Sequence, residues 1–154
     1  MMSIVYSKPT VVEIQQMQDM VKADVENGNI LLRTADEMAT NIRSYIIAKQ
    51  DDVLVGFCAL HIYSPRLAEI RSLIVSTDHR KKGIGSSLVK ECLVEGKKYN
   101  IKEVLALTYH KELFEHLDFK QIQKESIPEH KIWADCIRCK HFPICDEISL
   151  SIQL

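Results

Sequence analysis

Residues 68–87 read Ala68-Glu69-Ile70-Arg71-Ser72-Leu73-Ile74-Val75-Ser76-Thr77-Asp78-His79-Arg80-Lys81-Lys82-Gly83-Ile84-Gly85-Ser86-Ser87. The first eight residues are rich in Ile, Leu and Val, as a strand prefers. Ser76 to Gly85 is polar and holds two glycines. From Ile84 the spacing turns helical. Ile84, Leu88, Cys92 and Leu93 mark one buried stripe, and Lys97, Lys98 and Asn100 close the helix with the charge its C-terminus favours. The wholly apolar Val104-Leu105-Ala106-Leu107 follows, as expected of a strand at a sheet centre. Strand, glycine turn, helix and strand predict one βαβ unit within a mixed α/β fold.

Working outward, residues 3–7 read as an opening strand, and Val11, Ile14, Met17, Val21 and Val25 form the apolar face of a helix. Asn27-Gly28-Asn29 ends that helix, and residues 30–33 continue as an extended segment. Thr34 with Glu37 three residues later is a capping box and starts a second short helix. Residues 45–48, the turn Gln50-Asp51-Asp52 and residues 53–62 read as a hairpin, with residues 68–75 the third strand of an antiparallel series. Beyond residue 107, a short helix at 110–117 and strands at 119–124 and 146–152 complete the order β-α-α-β-β-β-α-β-α-β-β. No repeat or linker divides the chain, so a single domain over 1–154 is expected.

Composition narrows the function. Lys and Arg number 20 against 21 Asp and Glu, for a net charge of -1, which argues against a general nucleic-acid binder. The longest apolar run, Val53 to Leu60, falls far short of the ~20 residues that cross a bilayer. The N-terminus has no signal-peptide pattern and the five cysteines are an odd number, so reduced thiols and a cytoplasmic location are expected.

The glycine turn carries chemistry. Arg80-x-x-Gly83-x-Gly85 opens a helix whose first N–H groups lack internal partners and carry partial positive charge. Glycines let a ligand approach the backbone, and Arg80, Lys81 and Lys82 add formal charge, so the segment suits a phosphate or pyrophosphate. A Walker loop needs Gly-Lys-Ser/Thr, but Ser86 follows Gly85; a dinucleotide fingerprint needs a third glycine where Leu88 stands. A plain strand-to-helix turn with a solvated basic run is the alternative.

The Arg80-x-x-Gly83-x-Gly85 pattern, the strand before it and the helix after it resemble the acetyl-CoA-binding unit of the GNAT acetyltransferase superfamily. Leu113-Phe114-x-x-Leu117-Asp118-Phe119 resembles the family's later helix, with Asp118 where glycine is usual. Within the superfamily the chain is most similar to the acetyltransferase domain of bacterial N-acetylglutamate synthases. The matching pieces are Gly28-x-Ile30-Leu31-Leu32-Arg33, Ala59-Leu60-His61-Ile62-Tyr63, Glu69, Leu107-Thr108 and Ile127-Pro128-x-x-Lys131.

The resemblance implies a GNAT fold, a mixed and mostly antiparallel sheet around the βαβ unit. It implies acetyl-CoA as co-substrate, with its pantetheine arm along Leu73, Ile74 and Val75. The pyrophosphate would lie on Arg80, Lys81, Lys82, Gly83, Ile84 and Gly85, with Ser86 and Ser87 adding hydroxyls. An N–H near Leu73 or Ile74 would polarise the thioester carbonyl. Glu69 is the candidate base for the attacking amine, directly or through water. Phe114 stands where many relatives place an acidic tyrosine, which leaves Tyr109 as the candidate acid. Arg33 is the candidate for an acceptor carboxylate, with Lys131 and Arg138 behind it.

The acceptor implied is a small amino acid, above all L-glutamate on the arginine-biosynthesis route. A protein N-terminus, a lysine, a polyamine and a non-catalytic acetyl-CoA-binding role stay open, and the resemblance admits a homodimer. Cys136-x-x-Cys139-x-His141-x-x-x-Cys145 is compatible with a metal site, a redox pair or a structural turn, with Trp133 as a pocket wall. No metal ligand is assigned from it.

Overall fold

The computed structural model describes residues 3–27, 33–123, 126 and 148–154. Seven strands make one sheet: β1 (Ile4–Ser7), β2 (Tyr45–Gln50), β3 (Val53–Ile62), β4 (Leu67–Val75), β5 (Glu103–Thr108), β6 (Lys120–Ile122) and β7 (Ile148–Gln153). Their spatial order is β1-β2-β3-β4-β5-β7-β6. Every neighbouring pair is antiparallel except β4 and β5, which run parallel. That exception follows from the βαβ unit, since a crossover helix returns the chain in the same direction.

Among the described residues four α-helices accompany the sheet: α1 (Ile14–Glu26), α2 (Ala35–Thr40), α3 (Ile84–Lys98) and α4 (Lys111–Glu115). The Thr34 capping box forms as expected, Thr34 Oγ1 accepting from the Glu37 amide at 3.1 Å. Thr10 and Glu13 make a second box, which caps the short 3-10 turn at Val11–Glu13 that leads into α1. The β2–β3 turn is tight, with Asp51 and Asp52 both at positive φ, as a two-residue hairpin loop requires. β1, α4 and β6 are shorter than the sequence suggested, and β7 ends one residue later; residues 146 and 147 lie outside the described residues. The extended reading of residues 30–33 falls mostly outside the described residues, as does the cysteine-rich segment. No helix among the described residues is long and apolar enough to cross a membrane.

The sheet separates two cores. One face packs Ile46, Val55, Cys58, Leu60 and Ile70 against Leu88, Val89 and Cys92 of α3. The other packs Tyr45, Ile47, Phe57 and Ile74 beneath Ile14 and Met17 of α1 and Met38 of α2. In β4 the faces do not alternate regularly. Ile70 lies on the α3 side, and so do Leu73 and Val75, while Ile74 lies on the α1 side. A strand of period two cannot do this without an extra residue. Ser72, at φ 58°, supplies it, and the β3–β4 register shifts between Phe57 and Ala59.

Asp118 explains its own departure from the family pattern. It sits at φ 71°, the left-handed conformation that glycine adopts freely and aspartate tolerates. The turn closes with the Phe119 amide on the Phe114 carbonyl at 3.0 Å.

Gly56 of β3 packs against the backbone of β4 and the side chains of α3 without room for a Cβ. A Cβ there would lie 2.9 Å from the Ile74 carbonyl oxygen and 3.3 Å from Leu88 Cδ1. The first neighbour is backbone and cannot swing aside. Gly56→Ala is therefore expected to destabilise the fold by about 1–3 kcal/mol, as overpacking does, read as a lower urea midpoint with an unchanged slope.

Candidate active site

β4 and β5 stay paired only from Leu67↔Glu103 to Ile70↔Ala106. Beyond Ile70 the Ser72 bulge turns β4 away, while β5 continues to Thr108 against β7. The two parallel strands thus part at the C-terminal end, and among the described residues no strand pairs with the β5-facing backbone of residues 71–75 there. A cleft between parallel strands at that end is where α/β sheets characteristically bind ligands. Leu73, Ile74 and Val75, expected to line a ligand arm, occupy this stretch.

The glycine loop stands at the mouth of the same cleft. Gly83 is the N-cap of α3 at φ 81°, and no heavy atom lies within 4 Å of where its Cβ would be. It is selected for conformation and not for space. The first intrahelical bond runs from the Ser87 amide to the Gly83 carbonyl at 3.0 Å, so the amides of Ile84, Gly85 and Ser86 precede the helical ladder. Arg80 Nε donates to the Val75 carbonyl at 3.1 Å, and Ser76 Oγ lies 2.7 Å from His79 Nδ1. These bonds tie the loop to the end of β4. Lys81 and Lys82 are exposed beside it. Oriented amides, a helix N-terminus and added cations are the features that an anion site requires.

Glu69 lies on the α1-side face of β4 and is only 2% exposed. Its row across the sheet runs His61, Glu69, Leu105 and Ser151. The Tyr63 hydroxyl donates to Glu69 Oε1 at 2.7 Å. An exposed strand carboxylate is thereby ruled out. Tyr63 is the site residue that sequence reasoning left without a role; the signal was its place two residues after His61 in a hairpin leading to Glu69.

On the same face a pocket of about 330 Å³ opens between α1 and the sheet. Its lining includes Gln18 of α1, Arg33, Met38, Tyr45, Phe57 and the bulge residue Ser72. Arg33 therefore borders a cavity that reaches the parting strands. Burial pushes the Tyr45 phenol above its usual 10.0, the Arg33 and Arg71 guanidiniums pull it back in part, and Glu37 adds to the rise. The pocket wall is thus a neutral phenol within reach of two arginine charges.

Tyr109 follows β5 at the open end and is 37% exposed. Phe114 is buried against Phe119, ring centroids 5.1 Å apart, and is a core residue. Lys131, Arg138, Trp133, Cys136, Cys139, His141 and Cys145 lie outside the described residues. Among the described residues no cluster of three or more His, Cys, Asp or Glu is arranged to hold a metal.

The family profile described as Acetyltransferase (GNAT) family matches residues 12–119. The chain belongs to the GNAT acetyltransferase family, and it is an acyltransferase of the group whose acyl donor is acetyl-CoA. An uncharacterized N-acetyltransferase of Chlorobaculum tepidum is 37% identical over 123 residues, covering 80% of this chain and 79% of that one. The amino-acid acetyltransferase of Haemophilus ducreyi is 24% identical over 121 residues, 77% of this chain but 28% of its own length. The chain thus spans little more than a quarter of that relative. The N-acetylglutamate synthase of Neisseria gonorrhoeae, solved with coenzyme A and N-acetyl-glutamate, superimposes with a TM-score of 0.86 at 19% identity, over 99% of this chain and 35% of that chain. This last likeness establishes the GNAT fold.

Two outcomes are expected from the geometry. Gly83→Ala forces a Cβ into the left-handed region at a cost of about 1–2 kcal/mol. It should weaken coenzyme A binding severalfold in calorimetry. Tyr45 holds its proton more tightly folded than unfolded, so its contribution to stability is full below pH 10 and is lost as pH rises through the raised folded value. Tyr45→Phe should flatten the alkaline fall in Tm relative to the parent.

Proposed function

We propose that the chain transfers the acetyl group of acetyl-CoA to the α-amino group of a small amino acid, with L-glutamate the first candidate acceptor. The product would then be N-acetylglutamate, a cytoplasmic intermediate of arginine biosynthesis. The observation that carries this reading is the juxtaposition of three features on one side of the sheet. They are the parted β4–β5 edge, the buried Glu69 carboxylate and the arginine-bordered pocket that reaches Ser72.

The steps follow from the residues. The pyrophosphate of the donor sits on the Arg80–Ser87 loop, and its pantetheine arm lies along Leu73, Ile74 and Val75, pairing with β4 backbone that β5 has left. The thioester then faces the gap between the strands. An amide near Leu73 or Ile74 supports the oxyanion that develops on its carbonyl. An ammonium has no lone pair, so Glu69 takes the proton of the incoming amine. Arg33 holds an acceptor carboxylate, since its planar fork matches two oxygens. When the tetrahedral intermediate collapses, the C–S bond breaks and the thiolate leaves. Tyr109, at the open end of β5, is the residue proposed to protonate it.

The amino-acid acetyltransferase relatives and the glutamate synthase structure support an amino-acid acceptor, and the arginine beside the pocket supports an anionic one. The test is a screen of free amino acids, polyamines and an N-terminal peptide for CoA release with acetyl-CoA present. L-Glutamate or another dicarboxylic amino acid is expected to give the highest kcat/KM; a preference for polyamines would overturn the acceptor assignment. Glu69→Gln should lower kcat by about 10²–10⁴ with acetyl-CoA affinity unchanged. Arg33→Ala should act chiefly on the acceptor KM.

A further inference from the structure

We infer that Tyr63 is the positioning residue for the Glu69 carboxylate, a hydroxyl that fixes the place and the plane of the base on the α1 side of the sheet. The inference rests on Glu69 as the base and assigns a role to a residue that the family resemblance left without one.

The hairpin between β3 and β4 places Tyr63 with little freedom. The Tyr63 amide donates to the Leu67 carbonyl at 2.9 Å, and the Ser64 amide donates to the same oxygen at 3.3 Å. Ser64 Oγ accepts from the amides of Arg66 and Leu67 at 3.2 and 3.1 Å. The turn is therefore tied on both sides of Pro65. His61 lies directly opposite Glu69 in the sheet, and Tyr63 pairs with Leu67. Tyr63 and Glu69 are thus diagonal neighbours, a separation that a long aromatic side chain spans and a short one does not. The His61 ring packs edge-on against the Tyr63 ring, centroids 4.6 Å apart at 75°, and steadies its direction.

The phenol then meets Glu69 Oε1 at 2.7 Å. A hydrogen bond to a charged acceptor is short and directional, so it sets the plane of the carboxylate as well as its place. A general base must lie within hydrogen-bond reach of the proton it takes, directly or through one water. A small misplacement of such a group costs rate steeply. Glu69 is buried, so bulk water cannot supply this orientation. Among the described residues of the sheet, the titratable and charged groups flanking Glu69 on this face include His61 and Tyr63 from the β3 side and Arg71 on β4; β5 and β7 contribute Leu105 and Ser151 to its row.

The experiment compares the parent with Tyr63→Phe, Tyr63→Leu and Glu69→Gln by two readouts. The first is the ¹³C carboxyl spectrum of protein labelled at glutamate side chains, in which the resonance missing from Glu69→Gln identifies Glu69. This readout needs no acceptor. The second is CoA release with acetyl-CoA and L-glutamate, with coenzyme A affinity measured alongside. The phenol donates to Glu69 Oε1 at 2.7 Å, so Tyr63→Phe is expected to displace the Glu69 carboxyl resonance. Turnover (kcat) should fall about tenfold, while the acceptor KM and coenzyme A affinity hold. Tyr63→Leu should match Tyr63→Phe in both readouts. A Tyr63→Phe protein whose Glu69 resonance and turnover match the parent's, with only Tyr63→Leu impaired, makes Tyr63 a packing residue and overturns the inference while leaving Glu69 as the base. A Glu69→Gln protein with full turnover overturns the base assignment itself.

Discussion

One extra residue in β4 governs the rest of this molecule. A parallel pair of strands would pair along its whole length if both kept a period of two. The left-handed Ser72 breaks that period in β4, while β5 stays in register with β7 to its end. The pair consequently separates after four residues. The same residue reverses which side chains face α3 and which face α1, so Ile74 moves into the α1 core and Leu73 and Val75 into the α3 core. Opening the cleft and anchoring its rim are one event. Both cores hold the strand in place after it leaves its partner.

The sequence carried much of this and withheld some. The glycine turn, the α3 stripe, the hairpin and the Thr34 box were legible because each depends on neighbours a few residues apart. Gly83 could be read as special because only a left-handed cap on a helix gives such a turn its use. The bulge was not legible. Ser72 is an unremarkable residue in an apolar strand, and its conformation follows from packing on both faces at once. Glu69 could be proposed as a base by resemblance, but its burial and its phenolic partner depend on a hairpin register that no local pattern fixes. The Asp118 departure looked like a defect in the sequence and becomes ordinary once its backbone angle is known.

The two faces of the sheet have different chemistry. Towards α3 the polar atoms are quiet. Cys58 and Cys92 are fully buried with their sulfurs 3.2 Å apart, and the bond between them, together with burial, pushes the Cys58 thiol well up. A thiol whose pKa is raised in this way is a poor nucleophile. Towards α1 the sheet presents Tyr45, Arg71, His61 and Glu69. The α3 face supplies an apolar backing to this second face.

The insertion of β7 between β5 and β6 bears on how the chain reaches this state. β6 has its only described strand partner in β7, yet β7 is the last described element in chain order. A ribosome delivers residues in sequence, so β5 emerges with one flank bare and β6 emerges with nothing to zip against. That half of the sheet must wait for its closing strand, and contacts of such long sequence separation form slowly. Among the described strands, the flank of β5 therefore stays unpaired from the making of residues 103–108 until residues 148–153 follow.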